Sequence, residues 1–327
     1  MDLKKELKKR KDIFEKELKK YLENGTPKTI YDAARHLPVA GGKRLRPCIS
    51  MLSCEALGGN INKVVPLAIS IELIHNFTLV HDDIMDNSKL RRNIPTVHIK
   101  FDEPTAIIAG DLLFAKAFEV MHDLAEDISV FKKIQLDFIN CIREICEGQQ
   151  TDMDFEKKQN IKEKEYLEMI RKKTAIIFQF AAESGATIGG GTKKEIQALK
   201  DYGKFIGLAF QIHDDYLDMS SDEKILGKDI GNDIRNGKKT LVAVHCINNA
   251  SGEDKKLLKN IFGNRNATEN EVNRIYSLFN KIGSVEYAKK TAINYCNKAK
   301  KSLNSIPNSH AKEILLELAR YSIKREK

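Results

Sequence analysis

Much is scarce in this 327-residue chain, and each scarcity removes a class of protein. Only seven prolines interrupt it, and strand-like alternation of apolar and polar residues is rare, so a sheet-built fold is excluded. The six cysteines, at 48, 54, 141, 146, 246 and 296, form no C-x-x-C pair and have no histidine at zinc spacing. They read as reduced, buried small hydrophobes. No uninterrupted apolar run reaches the length of a membrane span, and the chain opens on Asp, Lys and Glu instead of a signal sequence, which leads us to expect a cytoplasmic protein. No Ser-His-Asp or Cys-His pattern marks a covalent nucleophile. Nor does a helix-turn-helix or aromatic-basic patch give the net charge of +9 a nucleic-acid meaning. Much of that charge is lysine in outer segments such as 4–20, where Glu6 with Arg10 and Glu15 with Lys19 have the spacing of a solvated helix face.

What is present is helical periodicity, nearly from end to end. Residues 64–86 are apolar almost all round and read as a central helix surrounded by others; 105–121, 174–188 and 199–219 read the same way. Residues 3–23 and 311–324 are amphipathic and peripheral. Turn signals stand at Asn24-Gly25-Thr26-Pro27, Gly58-Gly59-Asn60, Gly189-Gly190-Gly191 and 248–254. No long linker or low-complexity tract divides the chain, so one all-α domain over 1–327 is expected.

The chemistry lies in a phrase that occurs twice, His81-Asp82-Asp83-Ile84-Met85-Asp86 and His213-Asp214-Asp215-Tyr216-Leu217-Asp218, each closing an apolar run. Aspartate is a poor helix former and a buried unpaired carboxylate is costly, so six of them need a strong opposing charge. Residues four apart share a helix face roughly 6 Å apart along the axis, which pairs Asp82 with Asp86 and Asp214 with Asp218. Hard divalent cations, Mg²⁺ above all, take such oxygens and complete their shell with water and substrate phosphates. His81 and His213 are expected to support the carboxylates without binding metal.

A polyphosphate also calls for Arg and Lys. They are supplied by Gly41-Gly42-Lys43-Arg44-Leu45-Arg46-Pro47, by Arg91-Arg92, and by Lys228 and Lys238 after the second acidic phrase. His75 and His98 are further polar candidates. Residues 231–240 only superficially resemble a P-loop, because the glycine spacing is one too long, Lys239 replaces the hydroxyl residue and no strand precedes them.

The GGKRLRP segment, DDIMD followed by RRN, Lys173-Thr174, and Phe210-Gln211 leading into DDYLD together closely resemble the trans-type isoprenyl diphosphate synthases, over about 41–240. The resemblance implies a helical bundle around a deep central cavity, the isoprenoid synthase fold, usually a homodimer. It implies up to three Mg²⁺, with Asp82, Asp86 and Asp214 as chief ligands and Asp83, Asp215 and Asp218 assisting. Lys43, Arg46, His75 and Arg92 would bind isopentenyl diphosphate. Arg91, Lys173, Thr174, Gln211, Lys228 and Lys238 would bind the allylic diphosphate, with Lys173, Thr174 and Gln211 catalytic. A member with this pattern would make geranylgeranyl diphosphate with some farnesyl diphosphate.

Product length in that family is set by an aromatic floor five positions before the first motif, here Phe77, roughly 7.5 Å along the helix from Asp82. Thr78 adds no second aromatic and Ile74 lies one turn further down. A terpene cyclase on the same scaffold would not need a second diphosphate site. A silent partner subunit would not need two complete acidic motifs.

Overall fold

The computed structural model describes residues 2–23, 25–124, 127–220 and 231–324. In chain order the helices are α1 (Leu3–Tyr21), α2 (Lys28–Val39), α3 (Leu45–Glu55), α4 (Val65–Met85), α5 (Val97–Lys100), α6 (Glu103–Met121), α7 (Ile128–Lys157), α8 (Glu163–Ile170), α9 (Ile176–Ile188) and α10 (Lys193–Ser220). They continue with α11 (Gly231–Asn236), α12 (Leu241–Asn249), α13 (Gly252–Ile261), α14 (Glu269–Lys281), α15 (Ser284–Ser302) and α16 (His310–Tyr321). Among the described residues the protein is all-α apart from one small hairpin, and it divides into two compact units.

The first unit comprises Met1–Ile142, Phe180–Lys200 and Ser305–Leu315. α4 is its core helix, apolar on every side as expected, with Leu67, Ile69, Ile71, Leu73 and Ile74 all fully buried. Together with the short turn before it, Ile61–Met85 is long and apolar enough to cross a membrane by length and composition, contrary to expectation from the sequence, but 67% of its apolar 18-residue window is buried within the protein. α6 starts on a cap by Asp102, whose side chain accepts from the Thr105 N–H at 2.7 Å, and packs along α4. Gly110 makes that approach possible, since a Cβ there would stand 2.3 Å from the His81 ring. α1 buries Arg10, Phe14 and Leu18, one residue per turn. Of the two ion pairs expected along it, Glu6 does reach Arg10, at 3.4 Å, but Glu15 turns inward to Arg44 and not to Lys19.

The hairpin is an element the sequence did not announce. β1 (Leu90–Arg91) and β2 (Ile94–Pro95) pair antiparallel around Arg92 and Asn93, both in the left-handed region at φ 54° and 62°. Two left-handed residues between paired strands match the twist that hairpins favour.

The second unit comprises Arg143–Gln179, Asp201–Asn304 and Leu316–Lys327. Its core gathers Phe155, Tyr166, Ile212, Ile275 and Phe279 around α12, of which Leu241, Val242, Ala243, Val244 and Cys246 are buried. Thr240 caps α12, and Thr268 with Glu271 forms a capping box on α14. The expected helix over 174–188 opens instead as a π-helical turn, Arg171–Ala175, before α9. α10 begins at Lys193, earlier than its apolar run suggested, and the expected turn over 248–254 narrows to the gap between Asn249 and Gly252. Five cysteines are buried free thiols as expected, whereas Cys146 is exposed.

Within the first unit, a Cβ on Gly185 would lie 2.2 Å from the Ser50 carbonyl oxygen. Gly185→Ala therefore forces two backbones apart and is expected to cost roughly 1–3 kcal/mol, lowering the melting temperature by several degrees in calorimetry. Gly190→Asn, in open space at φ 77°, is expected to change it far less.

Candidate active site

In the first unit the three aspartates of DDIMD do not share one role. Asp82 is half-buried and Asp86 exposed, one turn apart at the end of α4, whereas Asp83 is 1% exposed. Both Asp83 oxygens accept from Arg91, whose Nε lies at 2.8 and 2.9 Å and whose Nη2 lies at 2.8 Å. The hairpin produces this pairing: Arg91 on β1 reaches back to α4, while Arg92 at the turn donates to the Leu37 and Gly41 carbonyls. Burial pushes the Asp83 carboxyl up, and Arg91 opposes that push. Asp83, expected to assist a metal, has both oxygens accepting from the Arg91 guanidinium in this structure. Arg91, expected on the allylic diphosphate, pairs with Asp83 while its side chain stays 30% exposed.

The GGKRLRP turn is built from left-handed backbone, with Gly41 at φ 87°, Gly42 at 149° and Arg44 at 49°. Arg44 is buried and pays into the fold, not the site: it donates to Glu72 at 2.7 Å, to Glu15 at 2.9 Å and to the Pro38 carbonyl. Lys43 remains exposed and Arg46 half-buried. Arg46 Nη1 lies 3.0 Å from His75 Nε2, and since arginine has no acceptor, that nitrogen must accept and His75 carries its proton on Nδ1. Burial first, then Arg46, Arg92, Arg91 and Arg44, hold the His75 pKa well below its ordinary value. Lys43, Arg46, His75 and Arg92 belong to one unit, and Arg46, Arg92, Arg91 and Arg44 surround the neutral His75 imidazole with positive charge, a setting suited to an anion.

The second unit repeats the division. Asp214 and Asp218 are half-buried, while Asp215 is 5% exposed and held by three donors. Tyr166 Oη donates to it at 2.5 Å, Gln211 Nε2 at 3.0 Å and the Leu241 N–H at 3.2 Å. Burial pushes the Asp215 carboxyl up to about 7, with those bonds and Lys238 pulling the other way. Asp215, expected to assist a metal, is in this structure the buried anchor of these three donors. Thr174 Oγ1 donates to Gln211 Oε1 at 3.0 Å, so Thr174, Gln211 and Asp215 form one directed chain. Lys173 pairs with Asp152 at 2.5 Å. Lys238 lies 3.8 Å from Asp233, and the carboxylates of Asp233, Asp215, Asp152 and Asp218 raise its pKa against burial. Lys228 lies outside the described residues.

Among the described residues no three His, Cys, Asp or Glu side chains converge as a closed metal cage. Each motif offers one accessible pair of aspartates a turn apart. That donor set fits a hard divalent cation that keeps open positions for water and phosphate oxygens.

A family model described as polyprenyl synthetase matches residues 27–279. The chain belongs to this family. It is 43% identical over 320 residues to the short chain isoprenyl diphosphate synthase of Methanothermobacter thermautotrophicus, covering 98% of each. The crystal structure of geranylgeranyl pyrophosphate synthetase from Pyrococcus horikoshii superposes with a TM-score of 0.94 at 40% identity, covering 99% of this chain and 98% of that one. A polyprenyl synthase from Caulobacter crescentus, solved in complex with calcium and isoprenyl diphosphate, gives 0.90 at 32% identity, covering 99% and 97%. As a polyprenyl synthetase the protein is a prenyltransferase, and the family works with a divalent metal.

Phe77 is half-buried on α4 and heads a ladder of aromatic contacts in the first unit of this synthetase. It meets His81 at 4.8 Å and Phe114 at 5.4 Å between ring centroids, and contacts continue through Phe118 and Phe138 to Phe180 at 5.2–5.3 Å. Ile74, one turn below, is fully buried, and Thr78 Oγ1 bonds back to the His75 carbonyl. Sequence reasoning missed Asp152, Tyr166 and Glu72, which no apolar period or repeated motif singles out. Glu72 alone carried a signal, as a charged residue within the apolar run 64–86; Asp152 and Tyr166 lie on segments that were not read as core.

Because His75 is held neutral in the folded state, the unfolded chain takes up a proton below pH 6.5 that the folded chain does not. Its contribution is complete above pH 6.5 and is lost as pH falls toward the depressed pKa. His75→Gln is expected to remove that share of the acid loss, seen as a flatter melting temperature between pH 7.5 and 5.5.

Proposed function

We propose that the protein condenses isopentenyl diphosphate with allylic diphosphates, dimethylallyl, geranyl and farnesyl, to give geranylgeranyl diphosphate with some farnesyl diphosphate. The observation that carries this is the repeated division of labour in the acidic motifs: an accessible aspartate pair and a buried, anchored third. Support comes from the positive group around His75, which suits a second diphosphate that a cyclase would not require. We propose Mg²⁺, up to three ions, held by Asp82, Asp86, Asp214 and Asp218. When bound it neutralises charge on the departing diphosphate.

The chain's own residues then divide the work. Lys43, Arg46 and Arg92 bind the isopentenyl diphosphate, with neutral His75 placed by Arg46. Lys173 and Lys238 bind the allylic diphosphate, while Arg91 acts through Asp83. The allylic C–O bond breaks with its electron pair leaving on diphosphate, and the resulting cation is attacked by the isopentenyl double bond. Thr174 Oγ1 donates a hydrogen bond to Gln211 Oε1, so its lone pairs remain for the allylic cation. Loss of a proton from the condensed cation restores a double bond, and released diphosphate serves as its acceptor. Apolar walls, Phe77 among them, exclude water from the cation.

We further propose one domain over 1–327, because α7, α9, α10 and α16 each run unbroken across a boundary between the units. Exposed Ile107 and Ile108 on α6 and Leu136 and Ile139 on α7 support a homodimer. Six free thiols support a cytoplasmic setting.

The test is incubation of the purified protein with Mg²⁺, labelled isopentenyl diphosphate and each allylic diphosphate, followed by chain-length analysis. A C20 alcohol after dephosphorylation is expected, and a cyclic hydrocarbon without isopentenyl incorporation would overturn the proposal. Phe77→Ala should lengthen the product by at least one isoprene unit; unchanged length would remove Phe77 as the floor.

The aspartates separate in a second test. Asp82→Asn is expected to raise the Mg²⁺ concentration for half-maximal rate by about tenfold or more, as loss of a ligand does. Asp83→Asn is expected to leave that concentration nearly unchanged and lower stability by about 1–3 kcal/mol through its weakened bonds to Arg91.

A further inference from the structure

Lys173 stands on the π-helical turn, and its Nζ is 2.5 Å from Asp152 on α7. A lysine stem has four rotatable carbons and loses rotamer freedom when fixed, so an ammonium facing solvent needs a counter-charge to hold one position. Asp152 is well placed to be that counter-charge, for a reason that lies in the backbone. One turn earlier on the same face of α7 is Gly148, and a Cβ there would lie 2.4 Å from the Lys173 backbone nitrogen. α7 thus touches the π turn twice, through the bare backbone at 148 and through the carboxylate at 152. The distance between Asp152 and the Lys173 stem is set by a direct helix contact, not by a loop. Gly207 extends the same close packing on the other side, its Cβ position lying 2.6 Å from the Ala175 Cα.

The side chains agree with this. The Lys173 and Asp152 side chains are 27% and 17% exposed, enough for an arriving anion to reach the ammonium while much of the pair is shielded from water. π turns arise where a helix accommodates an extra residue, and here the altered winding brings Lys173 to Asp152 and Thr174 to Gln211 together.

We propose that Asp152 is a positioning residue that holds the Lys173 ammonium in place for the allylic diphosphate. This rests on the proposed function for the identity of the anion, but the hold of Asp152 on Lys173 is independent of it. The test is a kinetic cycle of Asp152→Asn, Lys173→Gln and the double variant, with the acylation rate of Lys173 by an amine-reactive ester measured by mass spectrometry. Asp152→Asn is expected to raise the allylic KM about tenfold, leave the isopentenyl KM within twofold and keep the melting temperature. In the Lys173→Gln background the same change should alter the allylic KM by less than twofold. Acylation of Lys173 should be at least threefold faster in Asp152→Asn. An undiminished tenfold effect in the Lys173→Gln background, or equal acylation rates, would overturn the proposal. If the unaltered protein forms no elongated product, the functional reading fails, and the acylation rates alone still decide whether Asp152 holds Lys173.

Discussion

A carboxylate inside a helical core must be answered, and the answer given to Asp83 and to Asp215 organises everything around them. An unpaired buried carboxylate costs several kcal/mol, so each middle aspartate recruits partners that then become fixed. Asp83 fixes Arg91 and with it the hairpin, whose turn directs Arg92 to the Gly41 carbonyl. Asp215 fixes Tyr166 from α8, Gln211 from its own helix and the first N–H of α12. The outer aspartates are kept at the accessible end of a helix that cannot rotate, because rotation would expose the anchor and strand its partners.

The two anchors use different chemistry. Asp83 is met by a full positive charge in bidentate geometry, Asp215 by neutral donors with Lys238 nearby. A guanidinium brings charge that must itself be housed, and Arg91 manages this by remaining about a third exposed. Neutral donors bring none, so the Asp215 network closes within a dry interior and its carboxyl is pushed up to about 7. The directed chain from Thr174 through Gln211 to Asp215 then sets the orientation of the Gln211 amide, which no single pair would do.

The acidic motifs, the cationic segments and the long helices were legible in the sequence because each is a local pattern: a repeat, a charge run or a 3.6-residue period. What was not legible depends on contacts between segments. Helical spacing says that Asp82 and Asp83 point about 100° apart, but only packing says which of the two faces is inside. The Arg91-Arg92 pair reads as one basic patch, yet a turn with two left-handed residues sends them apart. Glu15 looked like a partner for Lys19 because spacing counts only its own helix; Arg44, buried with Glu72, had the stronger need. The π turn is equally silent in sequence, as Lys172-Lys173-Thr174 has no feature that an ordinary helix would refuse, and it is Gly148 and Gly207 that admit it.

The charge left over after internal pairing indicates which ligand each region can accept unaided. In the first unit Arg44 is spent on Glu15 and Glu72 and Arg91 on Asp83, while Arg46 and Arg92 press on a histidine they keep neutral. That histidine gives up its own proton affinity to the surrounding positive potential, which is the potential a diphosphate would relieve. In the second unit Asp152, Asp215, Asp218 and Asp233 all act on Lys238. There an incoming polyanion meets carboxylates as well as lysines, and it is repelled unless a cation arrives with it. On the proposed function, a diphosphate at the arginine group needs only the protein, whereas one beside the second motif must share its site with metal.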